Sequence, residues 1–221
     1  VSALITDGDM ATLSGITAAS NNLTITVTDA SVVATELTAL DAKTTGQLNV
    51  SSSNDITGTY TEVDAVLDAT TITGRGGVTA TLSDTSISVA NANLIAAKTT
   101  GAITATITET DLNTLTTAGG GAGIVDGGNV NNYAITVAVQ RAASTGVTVI
   151  ETIEAANLNT LDSLTNGVIT VTAPTISGVY ADVTDAFTAN TAGNISGLET
   201  KDVIIDDATG ITQAEAELAQ A

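Results

Sequence analysis

The sequence predicts a repeat solenoid, mainly β, with parallel strands stacked and short helices along one wall; a β-sandwich is the alternative. Three observations lead there. Short segments alternate aliphatic residues with Thr, the side-chain period of a strand with one buried face. A helical period follows directly after the best of these segments. Fragments of the same pattern then return along the 221 residues at offsets that share a period of about 23 to 28 residues, within the range of stacked repeats.

The strand signal is clearest in Leu23-Thr24-Ile25-Thr26-Val27-Thr28 and recurs at 102–108 and 168–172. Each places aliphatic side chains on one face and mainly Thr on the other. In the stretch that follows the first, DASVVATELTALDAKTTG at 29–46, Val33, Leu37 and Leu40 recur at i, i+4 and i+7. That spacing predicts a short helix with one apolar stripe. Thr35 suits its N-cap, Glu36 its first turn, Lys43 its last turn, and Gly46 a left-handed stop. The unit is strand, short helix, glycine, next strand. One such unit buries too little to offset the entropy of ordering its backbone, so it requires neighbours to stack on.

Three echoes set the period. Ala42-Lys43-Thr44-Thr45-Gly46 returns as Ala97-Lys98-Thr99-Thr100-Gly101, 55 positions on, and LNTL at 112–115 returns at 158–161, 46 positions on. ITGTYTEV at 56–63 is echoed by ISGVYADV at 176–183, 120 positions on. An apolar residue directly after an acidic or amide position marks the helices: Met10, Leu37, Val63, Leu94, Leu112, Leu158 and Val183, with Ala216 weaker and a ninth near Val139. The expectation is a single elongated domain over 1–221, built of eight or nine degenerate coils, with a loop or half-rod boundary at 117–132. Leu94 fits badly, since an offset of 55 pairs it with Ala39 and not Leu37, so helix position is expected to slide between coils.

Ile-Thr/Ser-Gly triplets ending at Gly58, Gly74, Gly178 and Gly197 are expected to turn corners. Tyr60 and Tyr180 occupy one position in their respective coils, a packing place beside the corner glycine. At 133–139 and 147–151 the pattern fits two strands of a hairpin or a degenerate coil equally well, because the 140–146 connection suits both.

Composition restricts the function. With 5 Lys plus Arg against 24 Asp plus Glu, the net charge is -19, which repels nucleic acid phosphates and anionic membrane surfaces. No apolar run is long enough to span a bilayer as a helix. The chain has no Cys, His or Trp, so disulfides, thiol catalysis and ordinary transition-metal sites are excluded, and secretion without disulfides is compatible. It begins at Val1 with no basic and apolar leader before it, the expectation for a processed chain or a fragment.

The segments TELTALDAKTTG, ITGTYTEVDAV, TLSDTSI and TDLNTL, most of 29–165 with a return at 176–187, resemble the degenerate Thr/Ala-rich repeats of giant secreted and cell-surface proteins of marine cyanobacteria, with related arrays in phage tail-fibre proteins. The resemblance implies an extracellular repeat module in a surface layer, adhesin or fibre, and carries over no enzymatic residue. The calcium-binding nonapeptide of many such proteins is absent, with 119–126 only approximating it.

The expected function is therefore an extracellular or cell-surface structural protein, not an enzyme, that self-associates into a fibre, sheath or surface layer and needs no cofactor. The alternative is an adhesin or tail-fibre segment binding cell-surface glycans. Below these stand a polysaccharide-active enzyme, disfavoured because carboxylates are scattered and the only arginines are Arg75 and Arg141, and an ice-binding solenoid using the Thr rows. Calcium is the cation best suited to hard oxygens on adjacent coils. Its candidate ligands are Asp7 and Asp9 around Gly8, Asp126 with Asn129, and Asp202 with Asp206 and Asp207.

Overall fold

The computed structural model describes residues 2–17, 20–50, 54–117, 122–125, 131–141, 149–150, 152–207 and 210. They fall into two compact units, one drawn mainly from Val1–Ile87 and Asn91–Ala105, the other from Ser88–Ala90, Thr106–Asp126 and Val130–Ala221. Both are mixed α/β, with parallel-strand sheets carrying short helices and no closed barrel among the described residues.

The chain begins with β1 (Ser2–Ile5), α1 (Met10–Leu13), β2 (Asn22–Val27), β3 (Ser31–Val33), α2 (Ala34–Asp41), β4 (Leu48–Val50) and β5 (Asp55–Gly58). It continues through α3 (Tyr60–Asp68), β6 (Ile72–Thr73), a 3-10 turn at Arg75–Gly77, β7 (Thr79–Leu82), α4 (Val89–Ala96) and β8 (Ile103–Thr106). In the first unit one sheet runs β1-β2-β4-β6 and a second row runs β3-β5-β7-β8, all parallel. The registers advance by nearly constant steps. Ser31 lies opposite Asp55, Asp55 opposite Thr79, and Ala80 opposite Ile103; Ile25 faces Leu48, and Leu48 faces Ile72. Each step of 23 or 24 residues holds the connection that a parallel pair requires.

The second unit contains α5 (Leu112–Leu115), β9 (Asn132–Val137), β10 (Gln140–Arg141), β11 (Val149–Ile150), β12 (Thr152–Glu154) and α6 (Ala155–Asp162). It ends with β13 (Ile169–Val171), β14 (Thr175–Gly178), α7 (Tyr180–Ala192), β15 (Ile195–Ser196) and β16 (Asp202–Ile205). Parallel rows β9-β13-β15 and β12-β14-β16 place Ile135 opposite Ile169 opposite Ile195, and Thr152 opposite Thr175 opposite Asp202. Between 133 and 151, β9 joins the parallel row, while the antiparallel pair is β10 with β11, Gln140 opposite Ile150. A hairpin does form there, but one strand later than 133–139.

The alternation of the strands fixes what is buried. In β2, Leu23, Ile25 and Val27 are inside and Thr24 and Thr26 outside; β9 repeats this with Tyr133, Ile135 and Val137. The first helix prediction needs correction at both ends. α2 is capped by Val33 without a side-chain hydrogen bond, and Thr35 lies inside the helix; Ala34, Leu37 and Leu40 form its buried stripe. Ala42 in right-handed helical conformation, not Gly46, is its C-cap. The Leu94 misfit also resolves: Leu94 is 51% exposed, while Ala92 and Ile95, 55 positions after Leu37 and Leu40, are buried. The offset of 55 therefore holds for the residues that pack.

The glycine corners have two forms. Gly74 (φ 79°) and Gly197 (φ 86°) are left-handed and follow β6 and β15, and a Cβ on Gly74 would sit 2.0 Å from the Val50 carbonyl oxygen. Gly58 and Gly178 end β5 and β14 and lead into the helices that start at Tyr60 and Tyr180.

A further corner recurs three times as Thr-x-Gly. Thr44 is buried, and its hydroxyl lies between the carbonyl oxygens of Asn21 (3.0 Å) and Leu23 (2.8 Å), either of which can take its proton. It accepts the N–H groups of Leu23 and Gly46, both at 2.9 Å. Thr165 does the same with Asn131, Tyr133 and Gly167, while Thr99 makes a smaller version, donating to the Val78 carbonyl and accepting the Gly101 N–H. The glycine is required because a Cβ would meet the preceding strand at 2.2 Å from the Leu23 oxygen for Gly46, 2.0 Å from the Val78 oxygen for Gly101 and 2.2 Å from the Tyr133 oxygen for Gly167.

Removing the hydroxyl with Thr44→Val or Thr165→Val leaves buried amide and carbonyl groups without their partner, which costs about 1 to 3 kcal/mol. Exposed Thr45→Val should change stability by less than about 0.5 kcal/mol. Urea unfolding midpoints distinguish them; equal midpoints for Thr44→Val and Thr45→Val would remove the corner from the account.

Candidate functional site

The carboxylates were the candidate chemistry, and the structure gives many of them a structural task. The first amide of a helix points at solvent unless an acceptor reaches it, and the partial positive charge there favours a carboxylate. In four places that acceptor comes from further along the chain. Asp29 Oδ2 takes the N–H of Met10 at 2.9 Å, Asp84 Oδ2 that of Tyr60 at 2.5 Å, Glu109 Oε2 that of Val89 at 2.9 Å and Asp207 Oδ2 that of Tyr180 at 2.8 Å. These amides open α1, α3, α4 and α7. Tyr60 and Tyr180 thus share a position defined by their backbone amides, both half-buried at a helix start.

The calcium candidates separate accordingly. Asp9 is the N-cap of α1 and accepts from the Thr12 amide (3.3 Å) and hydroxyl (3.1 Å). Asp207 caps α7, as above. Asp7, Asp202 and Asp206 are exposed; Asp202 opens β16 opposite Thr175, and the Asp206 amide donates to the Gly178 carbonyl at 2.9 Å. Asp126 and Asn129 lie outside the described residues. Among the described residues no three His, Cys, Asp or Glu side chains gather as a metal site would require.

Basic side chains also tie neighbouring segments together. The Lys43 ammonium donates to the Ser14 carbonyl at 2.9 Å, at the end of α1, and the Arg75 guanidinium donates to the Leu67 and Val66 carbonyls at the end of α3. Both sit where the negative end of a helix favours a cation. Lys98 pairs with Asp64 at 2.6 Å and Asp68 at 2.8 Å, both on α3. Burial pulls the Lys98 ammonium down, but hydrogen bonds and attraction from the two carboxylates prevail and hold it above the usual lysine value.

Asp41 and Asp162 end α2 and α6 three residues before Thr44 and Thr165, and each keeps one buried oxygen, Oδ1, without a hydrogen bond. The other oxygen of Asp41 accepts from the Thr71 hydroxyl at 2.7 Å. Burial pushes the Asp162 carboxyl up, against the lowering effect of a hydrogen bond from Asn194. The cause is local and structural, at a helix end.

The sequence reasoning missed the acidic caps. The signal that finds one class of them is the pair DGDMATL at 7–13 and ETDLNTL at 109–115, which align without gaps. Comparison with protein-family models, curated proteins and solved structures gives no match for the chain.

Asp84→Ala should lower stability by about 0.5 to 2 kcal/mol, the range for losing a helix N-terminal acceptor, with helix α3 affected first; thermal melts followed by circular dichroism measure it. For Asp162 the sign runs with proton binding. Its folded pKa lies above the unfolded one, so its contribution is complete below the unfolded value and is lost as pH rises through the folded value. Asp162→Asn is therefore more stable than the parent at neutral pH, and the difference closes as pH falls through the carboxylate range. A pH-independent difference would contradict this origin.

Proposed function

We propose that the chain is an extracellular structural protein, a solenoid of degenerate coils that associates with copies of itself into a fibre, sheath or surface layer. The observation that carries the reading is the parallel ladder in which each strand pairs with another about one coil-length on, Ser31 with Asp55 and Asp55 with Thr79. Ladders of this kind gain stability from nearest neighbours and leave strand edges where they end. Further support comes from the side chains: the carboxylates of Asp29, Asp84, Glu109 and Asp207, the Lys43 ammonium and the buried Thr hydroxyls join segments about 19 to 34 positions apart, and aliphatic residues fill the inside. The extracellular setting rests on the Thr/Ala-rich repeat pattern and on a cysteine-free, strongly acidic composition.

A surface with 24 acidic and 5 basic residues repels its own copies, so assembly is expected to strengthen with ionic strength and with divalent cations. Negative-stain electron microscopy and sedimentation velocity of the purified chain, over a range of concentration and salt, test the proposal. Filaments or sheets growing with concentration are the expected result. Strictly monomeric particles throughout, with and without calcium, would contradict it.

A further inference from the structure

We propose that Asn166 is a site of spontaneous covalent modification, deamidation to aspartate and isoaspartate, and that the closed Thr165 corner is the gate that sets its rate.

The bond concerned is Asn166–Gly167, the single Asn-Gly pair in the chain. An asparagine side chain is attacked by the backbone nitrogen of the next residue, and a following glycine has no side chain to hinder the approach and the freest backbone to make it. The Gly167 nitrogen gives up its proton to water or hydroxide and forms a bond to Cγ of Asn166. The bond from Cγ to the side-chain nitrogen breaks, and that nitrogen takes up a proton and leaves as ammonia. Water then adds to one of the two carbonyls of the five-membered imide. Ring opening leaves aspartate or isoaspartate at 166, and nothing is oxidised or reduced.

Asn166 stands where the other two Thr-x-Gly corners carry Thr45 and Thr100, so the asparagine brings a reactivity that the corner itself does not need. Its side chain is exposed, whereas the attacking atom is held. The Gly167 N–H donates to the Thr165 hydroxyl at 2.9 Å, and that oxygen also accepts the Tyr133 N–H at 2.9 Å. The proton that must leave Gly167 is therefore the one bound to Thr165 Oγ1. That hydroxyl, itself beside the Asn131 and Tyr133 carbonyls at 2.9 and 3.1 Å, is no base for it. The N–H of Asn166 donates to the Asn131 carbonyl at 2.8 Å, so both amides flanking the reacting side chain are tied to the preceding segment. Ring closure proceeds from the open corner, and the closed corner protects.

The conversion is irreversible, and its main product does not fit. Isoaspartate routes the main chain through the former side chain and adds a methylene before Gly167, where even a Cβ would lie 2.2 Å from the Tyr133 carbonyl oxygen. Either product adds a negative charge to a chain that already carries -19. A chain converted to isoaspartate while open cannot close this corner again.

The experiment incubates the 221-residue chain at mildly alkaline pH, folded and in urea, and follows the amide-to-acid mass change and isoaspartate content of each asparagine peptide. In urea, Asn166 is expected to convert ahead of every other asparagine; in the folded chain its conversion is slower by at least about tenfold. Thr165→Val, checked for a cooperative melt, should speed folded-state conversion about five- to a hundredfold, the equivalent of the lost hydroxyl partner, with the urea rate as ceiling. Its rate in urea, and both rates of the exposed-corner control Thr45→Val, should match the parent. Asn166→Thr, the residue of the other corners, should keep the parent's melt and abolish the change at that peptide. Equal rates for the parent in its folded and urea states would overturn the gate, and this comparison decides by itself if Thr165→Val does not fold. A folded Thr165→Val that converts no faster than the parent would overturn it as well. Another asparagine converting first in urea would overturn the site.

Discussion

The rest of the structure depends on one hydrogen-bonded corner, the buried threonine hydroxyl of Thr-x-Gly. A parallel strand cannot be held in register by a tight turn, because its partner is more than twenty residues away. Thr44 and Thr165 supply what a turn supplies in a hairpin: a single atom that binds both the N–H and C=O groups of the preceding strand while also accepting the amide of its own glycine. The glycine then lets the two backbones approach closer than any side chain permits. Register follows from this geometry, and burial of alternate aliphatic residues follows from register.

Helices are attached to this frame by charge placed at their ends. Asp29, Asp84, Glu109 and Asp207 reach helix amides 19, 24, 20 and 27 positions earlier, and Lys43 and Arg75 satisfy carbonyls at the opposite ends of α1 and α3. Few of these bonds are strong alone, but those of the four carboxylates and of Lys43 span 19 to 29 positions and so oppose slippage between neighbouring segments. The acidic composition is thus partly structural. Others, Asp7, Glu36 and Asp202 among them, are exposed and contribute to a repulsive surface.

Strands were legible in the sequence because alternation such as Leu23-Thr24-Ile25-Thr26 has one reading when three consecutive aliphatic positions must be buried. The corner was legible as the echo AKTTG at 42–46 and 97–101, whose Thr and Gly make it. Helix details were less so: Thr35 has the chemistry of a cap, but the N-cap of α2 is Val33, two residues earlier, so that Ala34 joins the buried stripe. Leu94 and Ile95 are equally apolar, and only packing selects Ile95. The long-range acidic caps were harder to read because their partners lie 19 to 27 positions earlier, so no fixed spacing marks Asp84 as the acceptor for Tyr60. Thr165 was missed for a similar reason, since Leu-Thr-Asn-Gly shares only two residues with Lys-Thr-Thr-Gly.

The central claim is that the corner hydroxyls lock successive strands together. Amide hydrogen exchange read residue by residue tests it most directly, because the N–H groups of Leu23, Gly46, Tyr133 and Gly167 each bind the hydroxyl oxygen of a corner threonine. A locked corner gives these four amides protection equal to that of the strand interiors, opening only with global unfolding. Exchange at the rate of exposed turns, with β2 and β9 interiors still protected, would contradict it.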